Sequence, residues 1–171
     1  DEAAIRESID YIVMLHAYML TQSGIPVLYS GDEIGQLNDD TYHLDPHKAE
    51  DSRYLHRGKM DWAAAKNAEK KGTAEYRVFS ALDELEKVRA DELTFSCEAE
   101  TTTLDTGDNA LLCIRRCLNG EKMVGLFNFS REPKTAALSL NGWYRDVLTG
   151  TDLLLRQITV PGNGFFWLKS L

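Results

Sequence analysis

Between Ala110 and Leu168 six short runs of β-type residues follow one another: Ala110 to Cys117, Met123 to Phe129, Thr135 to Leu140, Trp143 to Leu148, Ile158 to Val160 and Phe165 to Leu168. Turn signals separate them at Asn119-Gly120, Asn141-Gly142, Thr149-Gly150 and Gly162-Asn163-Gly164. Gly and Asn accept the positive φ of tight hairpin turns, so the chain reverses direction again and again. Strands this short and this crowded bury their apolar residues by pairing antiparallel and stacking face to face, which predicts an antiparallel β-sandwich.

The first half reads differently. Ile5, Ile9, Ile12, Val13, His16, Met19 and Leu20 recur at steps of three and four, which predicts a helix over 3–22 with that face buried and His16 as a satisfied core histidine. Gly24 and Pro26 stop it. Ile25 to Ser30 is nearly continuous in apolar residues, as expected of a parallel strand covered on both faces, with Pro26 at its start. Residues 31–62 show neither period, and an aperiodic loop of that length is usually functional. Tyr76, Phe79, Leu82, Leu85 and Val88 then predict a helix over 73–89. The fold class expected is therefore α+β: residues 1–94 as the terminal helix-strand-loop-helix of a (β/α)8 barrel, and 95–171 as an all-β sandwich domain. A complete barrel takes roughly 250 residues, so a chain of 171 that starts at Asp1 is expected to be a fragment.

Charge narrows the classes of partner. The net charge is −8, with 19 acids against 11 bases in residues 1–94 and eight of each in 95–171. Nucleic acid and acidic membrane are not expected partners, because both demand a basic stripe. Asp32 to Asp51 holds seven acids and one base, Lys48, and reads as a solvated acidic loop. Cys97, Cys113 and Cys117 are too few for a disulfide framework. On a strand, Cys113 and Cys117 would stand about 13 Å apart, beyond the roughly 7 Å limit for a bridge. A reduced, cytoplasmic protein is expected. No apolar run approaches the roughly 18 residues of a membrane span.

Gly24-Ile25-Pro26-Val27-Leu28-Tyr29-Ser30-Gly31-Asp32-Glu33 resembles the last barrel strand of glycoside hydrolase family 13, the α-amylase superfamily, whose pattern is G-I-P-x-x-Y-x-G-D-E. Leu37-Asn38-Asp39-Asp40 and Glu50-Asp51-Ser52-Arg53-Tyr54-Leu55-His56-Arg57 are most similar to the amylosucrase group. Leu126-Phe127-Asn128-Phe129-Ser130, Asp146-Val147-Leu148-Thr149-Gly150 and Val160-Pro161 with Phe166-Trp167-Leu168 resemble the family's sandwich domain. One departure is Gly58 where amylosucrase-like chains have Pro. Lys59-Met60-Asp61-Trp62 is closer to the Met-Gln-Trp of oligo-α-glucosidases.

The resemblance implies a retaining α-glucosidase or glucosyltransferase acting on sucrose or short α-glucans, without cofactor. Its nucleophile, acid/base and orienting Asp belong to earlier strands, so no catalytic residue is assigned here and the chain alone is expected to be inactive. Arg53 is the substrate-binding candidate: the resemblance has it closing the pocket around a terminal glucose, while its neighbours Glu50 and Asp51 offer the alternative of a loop-holding ion pair. A planar guanidinium suits either task. His56 and Arg57 are candidates for an acceptor sugar or for loop packing. Gly31, Asp32, Glu33 and Asp51 are expected to be structural near the site, because adjacent carboxylates on a strand end point apart and cannot form the roughly 5 Å pair of a retaining glycosidase. His43, Asp45, His47 and Asp51 match no metal spacing. Trp143, Phe165, Phe166 and Trp167 read as core, with a sugar-stacking platform as the alternative. A stand-alone carbohydrate-binding or interaction module is the second function considered, and it needs those aromatics exposed. Self-association through barrel surface left uncovered is also expected.

Overall fold

The computed structural model describes residues 1–171. Helix α1 (Glu2–Thr21) begins at Asp1, whose carboxylate accepts the Ala3 N–H at 3.0 Å and satisfies one open donor of the first turn. An irregular stretch follows with short 3-10 turns at Asp32–Ile34, Tyr42–Leu44 and Ser52–His56, then the single-turn α2 (Trp62–Ala65) and α3 (Ala74–Asp91). Eight strands complete the chain: β1 (Glu100–Leu104), β2 (Leu111–Leu118), β3 (Glu121–Asn128), β4 (Lys134–Ala137), β5 (Trp143–Asp146), β6 (Asp152–Leu154), β7 (Gln157–Val160) and β8 (Phe165–Ser170). Six form one antiparallel sheet in the order β1-β2-β3-β8-β5-β6, and β4 pairs with β7. The α+β class and the antiparallel sheet are as expected. The chain clusters into two compact units, Asp1–Val27 with Ala81–Leu171, and Leu28–Ser80, the boundary falling within α3. No helix is long and apolar enough to cross a membrane.

In the first unit the large sheet is buried on both faces. Leu111, Cys113, Val124, Leu126 and Leu168 point to one side, where they pack with Ala136 and Val160 of the small sheet and with Tyr144 and Leu155. Their sequence neighbours Ile114, Arg116, Met123, Phe127 and Trp167 are buried on the other side, as the period of two requires. That side receives α1. Gly125 of β3 permits the approach: a Cβ there would lie 3.2 Å from Thr21 Cγ2 and 2.9 Å from the Phe127 ring.

Arg116 is fully buried without a carboxylate. Its Nε donates to Thr94 O at 2.7 Å and its Nη1 to Thr21 O at 3.0 Å, while Nη2 donates to Ser96 O. Arg89 donates to Leu20 O and, at 2.9 Å, to Gly24 O. Two guanidinium groups thus meet the open carbonyls and negative dipole end of α1. Burial lowers the pKa of both. The thiols are all free; burial pushes Cys113 up to about 12, which leaves it unreactive.

Four expectations are corrected. Ile25 to Ser30 forms no strand: no other segment of this chain pairs with it, and Ile25 and Val27 stand 92% and 74% exposed. Helix α1 buries Met14, Ala17, Leu20 and Thr21, so of the anticipated stripe Leu20 alone is buried, while Ile5 is exposed and Ile9, Ile12, Val13, His16 and Met19 are half-buried. The anchoring of Thr21 selects that face; His16 is satisfied within the helix by Ile12 O at 2.8 Å. Residues 31–62 are not featureless but carry three 3-10 turns. Finally, β1 and β6 add two strands to the six anticipated, both at the sheet edges.

Candidate functional site

The second unit is held by polar groups reaching across its loop. Gly31 turns the chain at φ 105, where a side chain would be strained and its Cβ would meet Gln36 Cβ at 3.0 Å. Its N–H donates to Glu33 Oε2 at 2.7 Å, and its carbonyl accepts the Gln36 N–H at 2.9 Å. Gln36 then bridges to the far end of the loop: Nε2 donates to Lys59 O at 3.2 Å, and Oε1 accepts the Asp61 N–H at 3.1 Å. The Asp39 N–H donates to Leu55 O at 2.8 Å, and His56 Nδ1 donates to Asn38 Oδ1 at 2.9 Å. Residues 36–39 are thereby stitched to the 3-10 turn Ser52–His56. Hydrogen bonds from the Thr41 hydroxyl and N–H hold the Asp39 carboxyl below the usual carboxylate range.

Asp51 caps that turn and orients Arg53. Its Oδ1 accepts the Arg53 N–H at 3.0 Å, and its two oxygens accept Nε and Nη2 at 2.7 Å each. This fork-to-carboxylate geometry is the strong form of an ion pair. Hydrogen bonding to Arg53 holds Asp51 below its ordinary pKa and raises that of the guanidinium. The Arg53 side chain remains 70% exposed, so solvent screens the pair and its value is in orientation more than stability.

Tyr29, Asp32, Arg53, His56 and Arg57 line one open cleft of about 420 Å³. The Arg57 guanidinium lies 6.0 Å from the Tyr54 ring centre, and Lys48 Nζ 5.7 Å from it. Arg53, His56 and Arg57, singled out from the sequence, therefore come together with Asp32. Glu33 instead turns back to the Gly31 amide, and Asp51 acts on the cleft through Arg53. Tyr29 was not singled out, although a Tyr two residues before a Gly-Asp turn is the available signal. His43 and His47 are not among the lining residues. Trp167 is fully buried, Phe165 and Phe166 are half-buried, and Trp143 is exposed, so these four do not make a continuous exposed platform.

Chemically the cleft offers guanidinium, imidazole and phenol groups around a single carboxylate. That set can hold and orient hydroxyl or oxyanion groups. It does not contain the two-carboxylate machinery of glycoside hydrolysis.

No protein-family model matches the sequence. Glucosylglycerate phosphorylase of Escherichia coli (strain K12) is 25% identical over 171 residues, which cover 98% of this chain and 30% of that protein. Among solved structures, AmyP in complex with maltose superposes with a TM-score of 0.73 at 15% identity, over 94% of this chain and 34% of its own. The α-amylase of Geobacillus thermoleovorans complexed with acarbose gives 0.68 at 18% identity, over 94% and 33%. The chain thus spans about a third of the length of the proteins it matches, and its fold is that of a part of the two solved structures.

Proposed function

We propose that this chain is the C-terminal part of a retaining, α-glucan-acting enzyme of the α-amylase superfamily, with residues 1–94 belonging to its barrel and 95–171 to its sandwich. The whole enzyme transfers a glucosyl unit from sucrose or a short α-glucoside, as the amylosucrase group does. One observation carries this reading. Two segments that resemble the family, Gly24 to Glu33 and Glu50 to Arg57, converge on a single cleft through Tyr29, Asp32, Arg53, His56 and Arg57.

In such an enzyme the nucleophilic carboxylate, the acid/base and the orienting Asp come from other strands of the barrel. This chain supplies positioning. Asp51 engages Nε and Nη2 of Arg53, which leaves the Nη1 donors for a second carboxylate or a sugar hydroxyl at the base of the pocket. The glucosyl intermediate is released when an acceptor oxygen bonds to the anomeric carbon as the bond to the enzyme carboxylate breaks. Water and a sugar hydroxyl are two acceptors. The basic lining of Arg53, His56 and Arg57 favours a second reading, with inorganic phosphate as acceptor, in keeping with the name of the Escherichia coli relative.

The test is Arg53→Ala in the enzyme that carries this chain. It should lower kcat/KM for the glucosyl donor by about tenfold or more, with Arg53→Lys rescuing only in part because an ammonium lacks the planar fork. Near-parental kcat/KM in the Ala variant would leave Arg53 as a loop-holding residue only. Glucose 1-phosphate formed only when phosphate is present would select the second reading.

A further inference from the structure

One residue of the Arg53 cleft has its hydrogen-bonding character set from outside the cleft. Asn38 is not among the lining residues, yet its Oδ1 lies 2.9 Å from Nδ1 of His56, which is. Backbone contacts bracket the pair. On one side the Asp39 N–H donates to Leu55 O at 2.8 Å, joining the residue after Asn38 to the residue before His56. On the other, Gln36 holds Lys59 O and the Asp61 N–H, and a Cβ on Gly58 would lie 3.2 Å from Asp39 Cβ. The Arg57 N–H donates to Tyr54 O at 3.1 Å and closes the turn that carries His56. Asn38 and His56 are therefore held opposite each other by the chain on both sides.

An amide oxygen can only accept, so the Nδ1 that meets it carries the proton. In the neutral ring Nε2 then has a lone pair and no hydrogen. With Nδ1 engaged, Nε2 is the nitrogen left for the cleft that His56 lines. Arg53 and Arg57 of the same lining donate only. A lone pair set among guanidinium donors suits a hydroxyl, which accepts through its oxygen and donates through its hydrogen at once. The same lone pair repels the bare oxygens of an anion.

We propose that Asn38 is a positioning residue that locks His56 in its Nδ1–H tautomer, so that Nε2 accepts the hydrogen of a sugar hydroxyl while a neighbouring guanidinium donates to the same oxygen. The inference rests on the α-glucan reading of this cleft and deepens it. Asn38, through His56, selects a hydroxylated sugar over inorganic phosphate.

The test uses the enzyme that carries this chain, labelled with 15N-histidine and held in mildly alkaline buffer, where imidazole is neutral. The His56 signals are those lost in His56→Gln. Long-range 1H–15N spectra should show a protonated Nδ1 and a bare Nε2. The Nε2 signal should move on saturation with thio-linked maltose, which keeps the hydroxyls and resists hydrolysis, and stay in place with inorganic phosphate. Asn38→Ala should return the ring to the Nε2–H form that imidazole favours in water, and weaken thio-linked maltose by about five- to tenfold. Asn38→Asp keeps an oxygen acceptor without an N–H, and should preserve both tautomer and affinity; near-UV circular dichroism reports that the variants stay folded. A bare Nδ1 in the parent, a shift with phosphate in place of the sugar, or unchanged affinity in folded Asn38→Ala overturns the proposal. Parental kcat/KM in Arg53→Ala would refute the α-glucan reading and the sugar contact with it, whereas a bare Nδ1 in an enzyme that depends on Arg53 refutes this proposal alone.

Discussion

The indole Nε1 of Trp167 donates to Thr21 Oγ1 at 2.9 Å, and that hydroxyl donates in turn to Ala17 O at 2.8 Å, joining the last strand to the last turn of α1 across 146 residues. Both residues are fully buried, so neither group has water as an alternative partner. Helix and sheet share one core because of this relay and the Arg116 bonds beside it.

Thr21→Val keeps the shape of the side chain and deletes the acceptor. The indole N–H is then buried without a partner, at a cost of about 1–3 kcal/mol. Urea denaturation should show the midpoint falling with an unchanged slope. A midpoint equal to the parent's would mean that the relay contributes nothing to stability.

Arg116→Met should be more damaging, because it orphans the carbonyls of Thr21, Thr94 and Ser96 together. A loss of about 2–5 kcal/mol is expected. Arg116→Lys should recover only part of it, since one ammonium cannot reach positions spanned by a planar fork. The ordering Arg above Lys above Met in unfolding free energy is the outcome to check.

The sequence made the β half legible and left these buried links hidden. Asn119 and Gly120 adopt φ 52 and 90, and the hairpin joining β2 to β3 follows from that dipeptide. Strand β1, by contrast, is Glu-Thr-Thr-Thr-Leu at the sheet edge; its outer side faces solvent, so it lacks the apolar alternation that marks inner strands. Arg116 stands next to Arg115 in β2 and reads as a solvent-facing charge, although its parity with the buried Ile114 was the available clue. Ile25 to Ser30 has the composition of an inner strand, but a strand exists only with neighbours. In the loop, Arg53, His56 and Arg57 were legible as site candidates because the segment Glu50 to Arg57 resembles one of the family's. The pairing of Gln36 with Lys59 and Asp61 was not, since side chains 23 and 25 residues apart leave no periodic trace.

Alkaline pH should destabilise the first unit. The Cys113 thiol is raised to about 12 by burial in the folded chain, against an ordinary value of 9.0. Between those values the unfolded chain has released its proton while the folded chain retains it. The stability due to Cys113 is therefore complete below about pH 9 and declines as pH rises toward 12, with a slope of up to about 1.4 kcal/mol per pH unit. Tyr144, whose pKa is also raised by burial, acts in the same direction. Denaturation midpoints of Cys113→Val should fall less steeply over that range than those of the parent; parallel profiles would exclude the thiol as the source.

Association of the isolated chain is expected at the segment following α1. Ile25 and Val27 are 92% and 74% exposed, and Tyr29 is half-exposed, while the backbone of Ile25 to Val27 enters no ladder. Open donors and acceptors combined with apolar side chains invite edge pairing with a second copy. Light scattering of the 171-residue protein should show a weight-average mass that rises with concentration. Ile25→Ser combined with Val27→Thr should lower it, because neither residue is among those buried in the folded chain and the double change leaves the sandwich core intact. A concentration-independent monomer that also resists limited proteolysis through residues 1–62 would argue against uncovered barrel surface and in favour of a self-sufficient module.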